Sequence, residues 1–146
     1  IRLSLVGSEM CIRDRVWTSS MGGILVVPFL GIYCATKHAI EAIAGSMKAE
    51  LEPHGVKVAT VNPGVFGTGF NDTGAESFVQ WYDADKAVVP MPDFSASLLN
   101  QADPQEMIDA MVEIIPAEKH LYRTMRPLAT IDVAKQWQAT EWSQNA

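Results

Sequence analysis

Cysteine is scarce in this chain. Cys11 and Cys34 are the only two in 146 residues, and no Cys/His cluster has zinc-ligand spacing. That excludes a disulfide-stapled scaffold and a structural zinc site, and no metal is expected. A reducing compartment, most simply the cytoplasm, is expected. Long apolar runs are also lacking. None approaches the ~20 residues that cross a bilayer, so no membrane partner is expected. Positive charge is in deficit, with 11 Lys and Arg against 17 Asp and Glu and a net charge of -6. Nucleic acid and acidic membrane surfaces are therefore poor partners. Internal repeats, linkers and low-complexity tracts are absent. What remains is 48% hydrophobic and 19% charged, the composition of one globular domain with its own core.

The first residues stand apart. Ile1 to Arg15 reads IRLSLVGSEMCIRDR and has no initiating methionine. Its Glu9 to Arg15 portion back-translates closely to the transposon-end adapter of DNA sequencing libraries. Residues 1–15 are therefore read as an adapter-derived, non-native segment, set aside from fold reasoning. Removing its three Arg, one Glu and one Asp takes the net charge from -6 to -7 and leaves Cys34 alone.

Val16-Trp17-Thr18 reads as the end of a buried strand. Ser19 to Gly23 reads as a loop, because Ser and Gly pairs break regular structure. Ile24 to Ile32, interrupted by Pro28 and Gly31, reads as an irregular buried connection. Tyr33 to Glu52 is rich in helix formers and stopped by Pro53 and Gly55. Its apolar positions spread over more than one face, so cover on two sides is expected. Val56 to Val61 reads as a buried parallel strand broken by Asn62-Pro63-Gly64. The Gly- and Pro-punctuated, aromatic-rich stretch at about 66–99 is expected to form a lid over a pocket. Asp103-Pro104-Gln105-Glu106 starts a helix with a capping pattern. Met107, Ile108, Met111, Val112 and Ile115 are its expected apolar face. Leu121 to Arg126 reads as the last strand, and Pro127 to Trp142 as a C-terminal helix. Helix, short turn and strand in alternation predict an α/β sheet.

Tyr33 and Lys37 are one helical turn apart, on one face. A free phenol titrates near ~10 and is a poor base at neutral pH. A Lys ammonium ~4 Å away supplies ~4 kcal/mol at an effective dielectric of 20 but only ~1 kcal/mol in water. The pair therefore becomes an acid–base device only where water is partly excluded. Alone, Tyr-x-x-x-Lys is weak evidence. Here Ser20 stands thirteen residues before Tyr33, in a loop after a strand end. Pro63-Gly64 follows the next strand, and Thr68 comes four residues after Gly64.

TSSMGG (Thr18 to Gly23), YCATK (Tyr33 to Lys37) and NPGVFGT (Asn62 to Thr68) together resemble the second half of the short-chain dehydrogenase/reductase family. The resemblance covers nearly all of residues 16–146. It implies the C-terminal, catalytic half of a Rossmann-type, doubly wound parallel sheet with flanking helices. It also implies an NAD(P)-dependent oxidoreductase interconverting an alcohol and a carbonyl compound. In that family Ser20 would polarise the substrate oxygen, with Ser19 the lesser candidate. Tyr33 would be the general acid and base. Lys37 would lower the Tyr33 pKa and hold the nicotinamide ribose. Pro63, Gly64 and Val65 would set backbone against the nicotinamide, and Thr68 would bond its carboxamide or a phosphate. Phe66, Phe70, Phe78, Trp81 and Tyr82 in the lid stretch point to a moderately apolar small-molecule substrate. His38 and Cys34 are read as structural. The Tyr33 to Glu52 helix is the expected surface of a homo-oligomer.

The family's Gly-rich phosphate loop, its residue selecting NAD or NADP, and a further catalytic Asn all belong to a preceding half. A half-sheet beginning at Val16 is expected to expose an edge, to fold poorly and to be inactive alone. Two rivals stand beside the oxidoreductase. A sugar-nucleotide epimerase shares Ser and Tyr-x-x-x-Lys but carries a larger substrate domain after them. A non-catalytic binding protein on the same fold would be expected to have lost one of Ser20, Tyr33 and Lys37.

Overall fold

A computed structural model describes residues 14–91, 93–94 and 100–143. The segment set aside as adapter-derived lies outside them up to residue 13. The elements run β1 (Arg15–Thr18), a single 3-10 turn (Met21–Gly23), α1 (Gly31–Leu51), a second 3-10 turn (Glu52–His54), β2 (Val58–Pro63), α2 (Phe70–Trp81), α3 (Gln105–Ile114), β3 (Arg123–Arg126) and α4 (Ala129–Glu141).

The three strands form one parallel sheet in the order β1-β2-β3. Parallel neighbours cannot be joined by a hairpin, so each connection crosses over through helix. Central β2 is buried along nearly its whole length, as a parallel strand covered on both faces must be. Side chains alternate across it. Asn62 meets Glu41 of α1 on one face, and Val61 packs with Met107 of α3 on the other. Helices therefore cover both faces of the sheet, the doubly wound α/β arrangement. On the α1 side, Met125 of β3 packs with Ala134 of α4 and with Ile24.

Arg15 opens β1 opposite Val58, and the Asp14 carboxylate accepts from the Lys57 amide at 3.1 Å. The strand thus begins one residue before Val16. The Arg15–Val58 pairing is a backbone relationship that most side chains would allow.

Several boundaries differ from the sequence expectation. α1 begins at Gly31 rather than Tyr33, and its last turn tightens to 3-10 before Gly55, whose φ of 74° ends it. β2 starts and ends two residues later than expected. The Val56 amide is spent closing the helix end on Leu51 O, so pairing begins beyond it. Pro63 joins the strand opposite Arg126 because β1 has already ended and asks no amide of it there. The Ile24–Ile32 connection is buried only at Ile24 and Leu25; Ile32 is 86% exposed.

α1 is covered on one side only among the described residues. Cys34 and Ala44 are buried, while Ala35, Ala39, Ala42 and Ile43 face outward. α3 buries Met107, Ala110, Met111 and Ile114, whereas Ile108, Val112 and Ile115 lie outward, about one helical step round. Asp103 accepts from the Gln105 amide at 2.9 Å, as a cap should. Glu106 forms no capping box. It accepts from the Leu128 amide and lies 3.8 Å from Arg126, tying α3 to the β3–α4 turn. The expected lid stretch holds the twelve-residue helix α2, which begins behind Gly69 in the left-handed region. Residues 92 and 95–99 of that stretch lie outside the described residues. No helix among the described residues is long and apolar enough to cross a membrane, and no group of three metal-ligating side chains occurs there.

Candidate active site

Ligands of open α/β sheets bind beyond the carboxyl ends of the strands. Here β1 ends on Thr18, and the chain turns through Ser19 and Ser20. Ser20 caps the following 3-10 turn: its Oγ accepts from the Gly22 amide at 3.1 Å. The same hydroxyl faces Pro63 O at 3.5 Å, too long for a strong bond. Ser20 Oγ thus sits between the loops that follow β1 and β2. Ser19 is 2% exposed and its hydroxyl has no partner among the described residues. It lies against the Gly23 backbone, where the Lys37 carbonyl also approaches.

Tyr33 and Lys37 lie on the first turns of α1, which face this loop. Lys37 Nζ donates to Thr18 O at 3.3 Å and stands 5.8 Å from the centroid of the Tyr33 ring. An ammonium carries three donors, and the others have no partner among the described residues. The Tyr33 ring also lies 6.1 Å from that of Phe70 on α2.

Two glycines make this approach possible. A Cβ on Gly22 would stand 3.1 Å from Tyr33 Cε1. A Cβ on Gly23 would stand 2.6 Å from Ser19 Oγ and 2.9 Å from the Lys37 carbonyl oxygen. A Cβ has no room at Gly23 and would press on the Tyr33 ring at Gly22, so the two glycines let the serine loop lie directly on the helix. The sequence signalled a loop at Met21-Gly22-Gly23 but not this close contact.

A second feature escaped sequence reasoning. Asn62, fully buried, donates through Nδ2 to Ser20 O at 3.0 Å and to Glu41 Oε1 at 2.6 Å. Its Oδ1 accepts from Thr60 Oγ at 3.0 Å, and Glu41 Oε2 accepts from Arg123 at 2.7 Å. Glu41 follows Tyr33 and Lys37 at four-residue intervals, a spacing that could have marked it.

The remaining expected site residues divide. Pro63 ends β2 and Gly64 and Val65 follow it, all three half-buried. The Gly64 amide donates to Arg126 O at 2.7 Å, and a Cβ there would meet Pro127, Thr130 and Arg126 O at 3.0–3.1 Å. Thr68 is exposed at the start of the α2 segment. Phe66 is 5% exposed and packs with Val61 and Met107, inside the core rather than toward a cleft. Phe70 and Trp81 are each 65% exposed, and Phe78 is buried. Phe78 meets Phe29, Trp81 and Phe94 edge-on and stacks against Tyr82. Phe29 holds its place with φ at 68°, a left-handed conformation that side chains other than Gly rarely adopt. Phe29, Phe78, Trp81, Tyr82, Val88 and Val89 line an apolar cleft of about 330 Å³. His38 is exposed and its Nδ1 donates to Cys34 O at 2.9 Å within α1, and Cys34 is buried.

The arrangement can be set beside known proteins. Residues 15–77 match the family model for short chain dehydrogenases. A 3-ketodihydrosphingosine reductase of Bacteroides thetaiotaomicron is 30% identical over 121 residues, covering 80% of this chain and 45% of the relative. Among solved structures, a short-chain dehydrogenase from Streptomyces avermitilis superposes with a TM-score of 0.62 at 22% identity, over 89% of this chain and 48% of that one. A short chain dehydrogenase/reductase from Burkholderia phymatum, in complex with NAD, gives a TM-score of 0.59 at 19% identity, over 90% and 49%. The two structures establish the α/β fold. The chain spans about half the length of the relatives it matches. The matched stretch holds Ser20, Tyr33, Lys37 and the loop after β2, so this part of the chain matches the short-chain dehydrogenase/reductase family, on the fold its solved structures share.

Proposed function

We propose that the protein is an NAD(P)-dependent oxidoreductase that interconverts an alcohol and a carbonyl compound, with Tyr33 as general acid and base. The observation that carries this reading is the convergence of Ser20, Tyr33 and Lys37 at the carboxyl edge of the sheet. The residues fit a nicotinamide cofactor. Lys37 has donors left over for ribose hydroxyls, and Ser20 Oγ, which accepts from the Gly22 amide, gives its proton only to a long contact with Pro63 O, so that proton can turn to a substrate oxygen. When bound, the nicotinamide supplies or takes the hydride.

The chain's own groups do the rest. In reduction the Tyr33 hydroxyl gives its proton to the carbonyl oxygen, and Ser20 Oγ–H donates a hydrogen bond to the same oxygen. The Lys37 ammonium stabilises the negative charge left on the Tyr33 oxygen, most strongly where water is excluded. In oxidation the same groups run in reverse. Pro63, Gly64 and Val65 would set backbone against the nicotinamide, and Thr68 would bond its carboxamide or a phosphate. The reductase among the relatives favours a ketone as substrate. Phe70, which meets the Tyr33 ring, and the cleft at Phe78 and Trp81 favour a moderately apolar one. The outward Ala35, Ala39, Ala42 and Ile43 of α1 would pair two copies of the protein, and cytoplasmic residence fits the cysteine usage.

The activity proposed is that of the whole protein, so the assay uses the full-length protein, of which this chain spans about half by comparison with its relatives. Reduced nicotinamide is followed by absorbance with a panel of apolar ketones. Ketone-dependent oxidation of NADH or NADPH is expected. Cofactor binding without turnover on any ketone would favour a non-catalytic role instead.

A further inference from the structure

Asn62 makes three side-chain hydrogen bonds, and none of the chemistry above uses it. It is fully buried on β2, immediately before Pro63. Its two amide donors go to different elements: one to the backbone carbonyl of Ser20, the other to the carboxylate of Glu41 on α1. Its acceptor takes the Thr60 hydroxyl. Glu41 is in turn held by Arg123 of β3, with only 10% of its side chain exposed. Burying a carboxylate is costly unless it is paired and hydrogen-bonded, and here both conditions are met. A Leu or Val at position 62 would fill the same space without that expense, so packing alone does not explain an amide there.

The location of the link gives it a purpose. Glu41 lies one turn past Lys37 on the helix stripe that begins at Tyr33. Ser20 O, the carbonyl that Asn62 grips, also accepts from the Gly23 amide and so closes the turn carrying Ser20. One buried amide therefore joins the serine loop, the Tyr33–Lys37 helix and the strand leading to Pro63-Gly64. We infer that Asn62 and Glu41 are positioning residues. They fix the Ser20 hydroxyl relative to the Tyr33 hydroxyl, so that both reach one substrate oxygen. This rests on the acid–base reading of Tyr33 above. Neither residue touches substrate.

Misplacement by about 1 Å costs about 10²-fold in rate. In the full-length protein, Asn62→Ala is expected to lower kcat about 10²-fold and to leave the KM for cofactor within about threefold. In a Ser20→Ala background the same change should cost little more, because the group it positions is already gone. Glu41→Ala should reproduce the loss. Glu41→Gln keeps an oxygen for Asn62 and should retain most of the rate. Hydrogen exchange at the Gly22 and Gly23 amides should accelerate in Asn62→Ala while α3 stays protected. An equal rate loss with and without Ser20 overturns the inference, as does a kcat unchanged by Asn62→Ala. Should Asn62→Ala not fold, Glu41→Ala and Glu41→Gln decide, and equal rates for the two overturn it. The exchange measurement is independent of turnover: unchanged Gly22 and Gly23 amides overturn the link even in an inactive protein. A Tyr33→Phe variant that keeps turnover would sink the acid–base reading instead.

Discussion

The Tyr33 ring rests on Gly22 so closely that a Cβ at residue 22 would stand 3.1 Å from Cε1. Gly22→Ala therefore has to push the ring or lift the serine loop by a few tenths of an ångström. Its kcat is expected to fall, by up to about 10²-fold, with little loss of stability. Gly23→Ala meets backbone, the Lys37 carbonyl oxygen, at 2.9 Å, and cannot be relieved by a side-chain turn. It should destabilise the protein by about 1–3 kcal/mol as well. Steady-state rates and denaturant melts on the two variants separate these effects. A Gly22→Ala enzyme with full activity would show that this contact does not set the tyrosine.

The aromatic cluster under α2 has one buried centre. Phe78 is 6% exposed and touches Phe29, Trp81, Tyr82 and Phe94, whereas Trp81 is 65% exposed. Phe78→Ala should cost about 3–5 kcal/mol through lost burial and the cavity left behind. Trp81→Ala should stay within about 1 kcal/mol, because little of its surface leaves water. Equal losses for the two in denaturant melts would mean that the cluster is not packed around Phe78.

Tyr122 sits beside the Glu41–Arg123 pair. Burial first, and then the Glu41 charge, hold its hydroxyl above the ordinary tyrosine value. The folded protein thus binds the proton more tightly than the unfolded chain. The stability this contributes is fully present below the ordinary tyrosine pKa and is lost as pH rises through the higher folded value. Difference titration of wild type against Tyr122→Phe should place its midpoint above 10. Glu41→Gln should bring that midpoint down. A midpoint unmoved by Glu41→Gln would remove the carboxylate from the cause.

The α/β alternation and the site were legible because they rest on local signals. Ser20, Tyr33 and Lys37 are fixed by spacing within a loop and one helix, and Asp103 caps its helix by the rule for short polar residues. What the sequence hid depends on tertiary contact. Phe66 looked like its aromatic neighbours, yet its place beside Val61 and Met107 is set by where β2 ends. The α3 stripe was ambiguous between two apolar faces a helical step apart, and only the sheet chooses one. Asn62 looked like part of a strand break. Its partners, Ser20 and Glu41, are 42 and 21 residues away, and no local pattern pairs them.

The account stands or falls on the Tyr33 hydroxyl. In the full-length protein, Tyr33→Phe keeps the ring, its contact with Phe70 and the Gly22 packing, and removes only the hydroxyl. Turnover of a ketone that the wild type reduces should fall by at least about 10²–10⁴-fold. Affinity for the nicotinamide cofactor, measured by fluorescence or calorimetry, should stay nearly unchanged. A Tyr33→Phe enzyme that turns over at the wild-type rate would contradict the central claim.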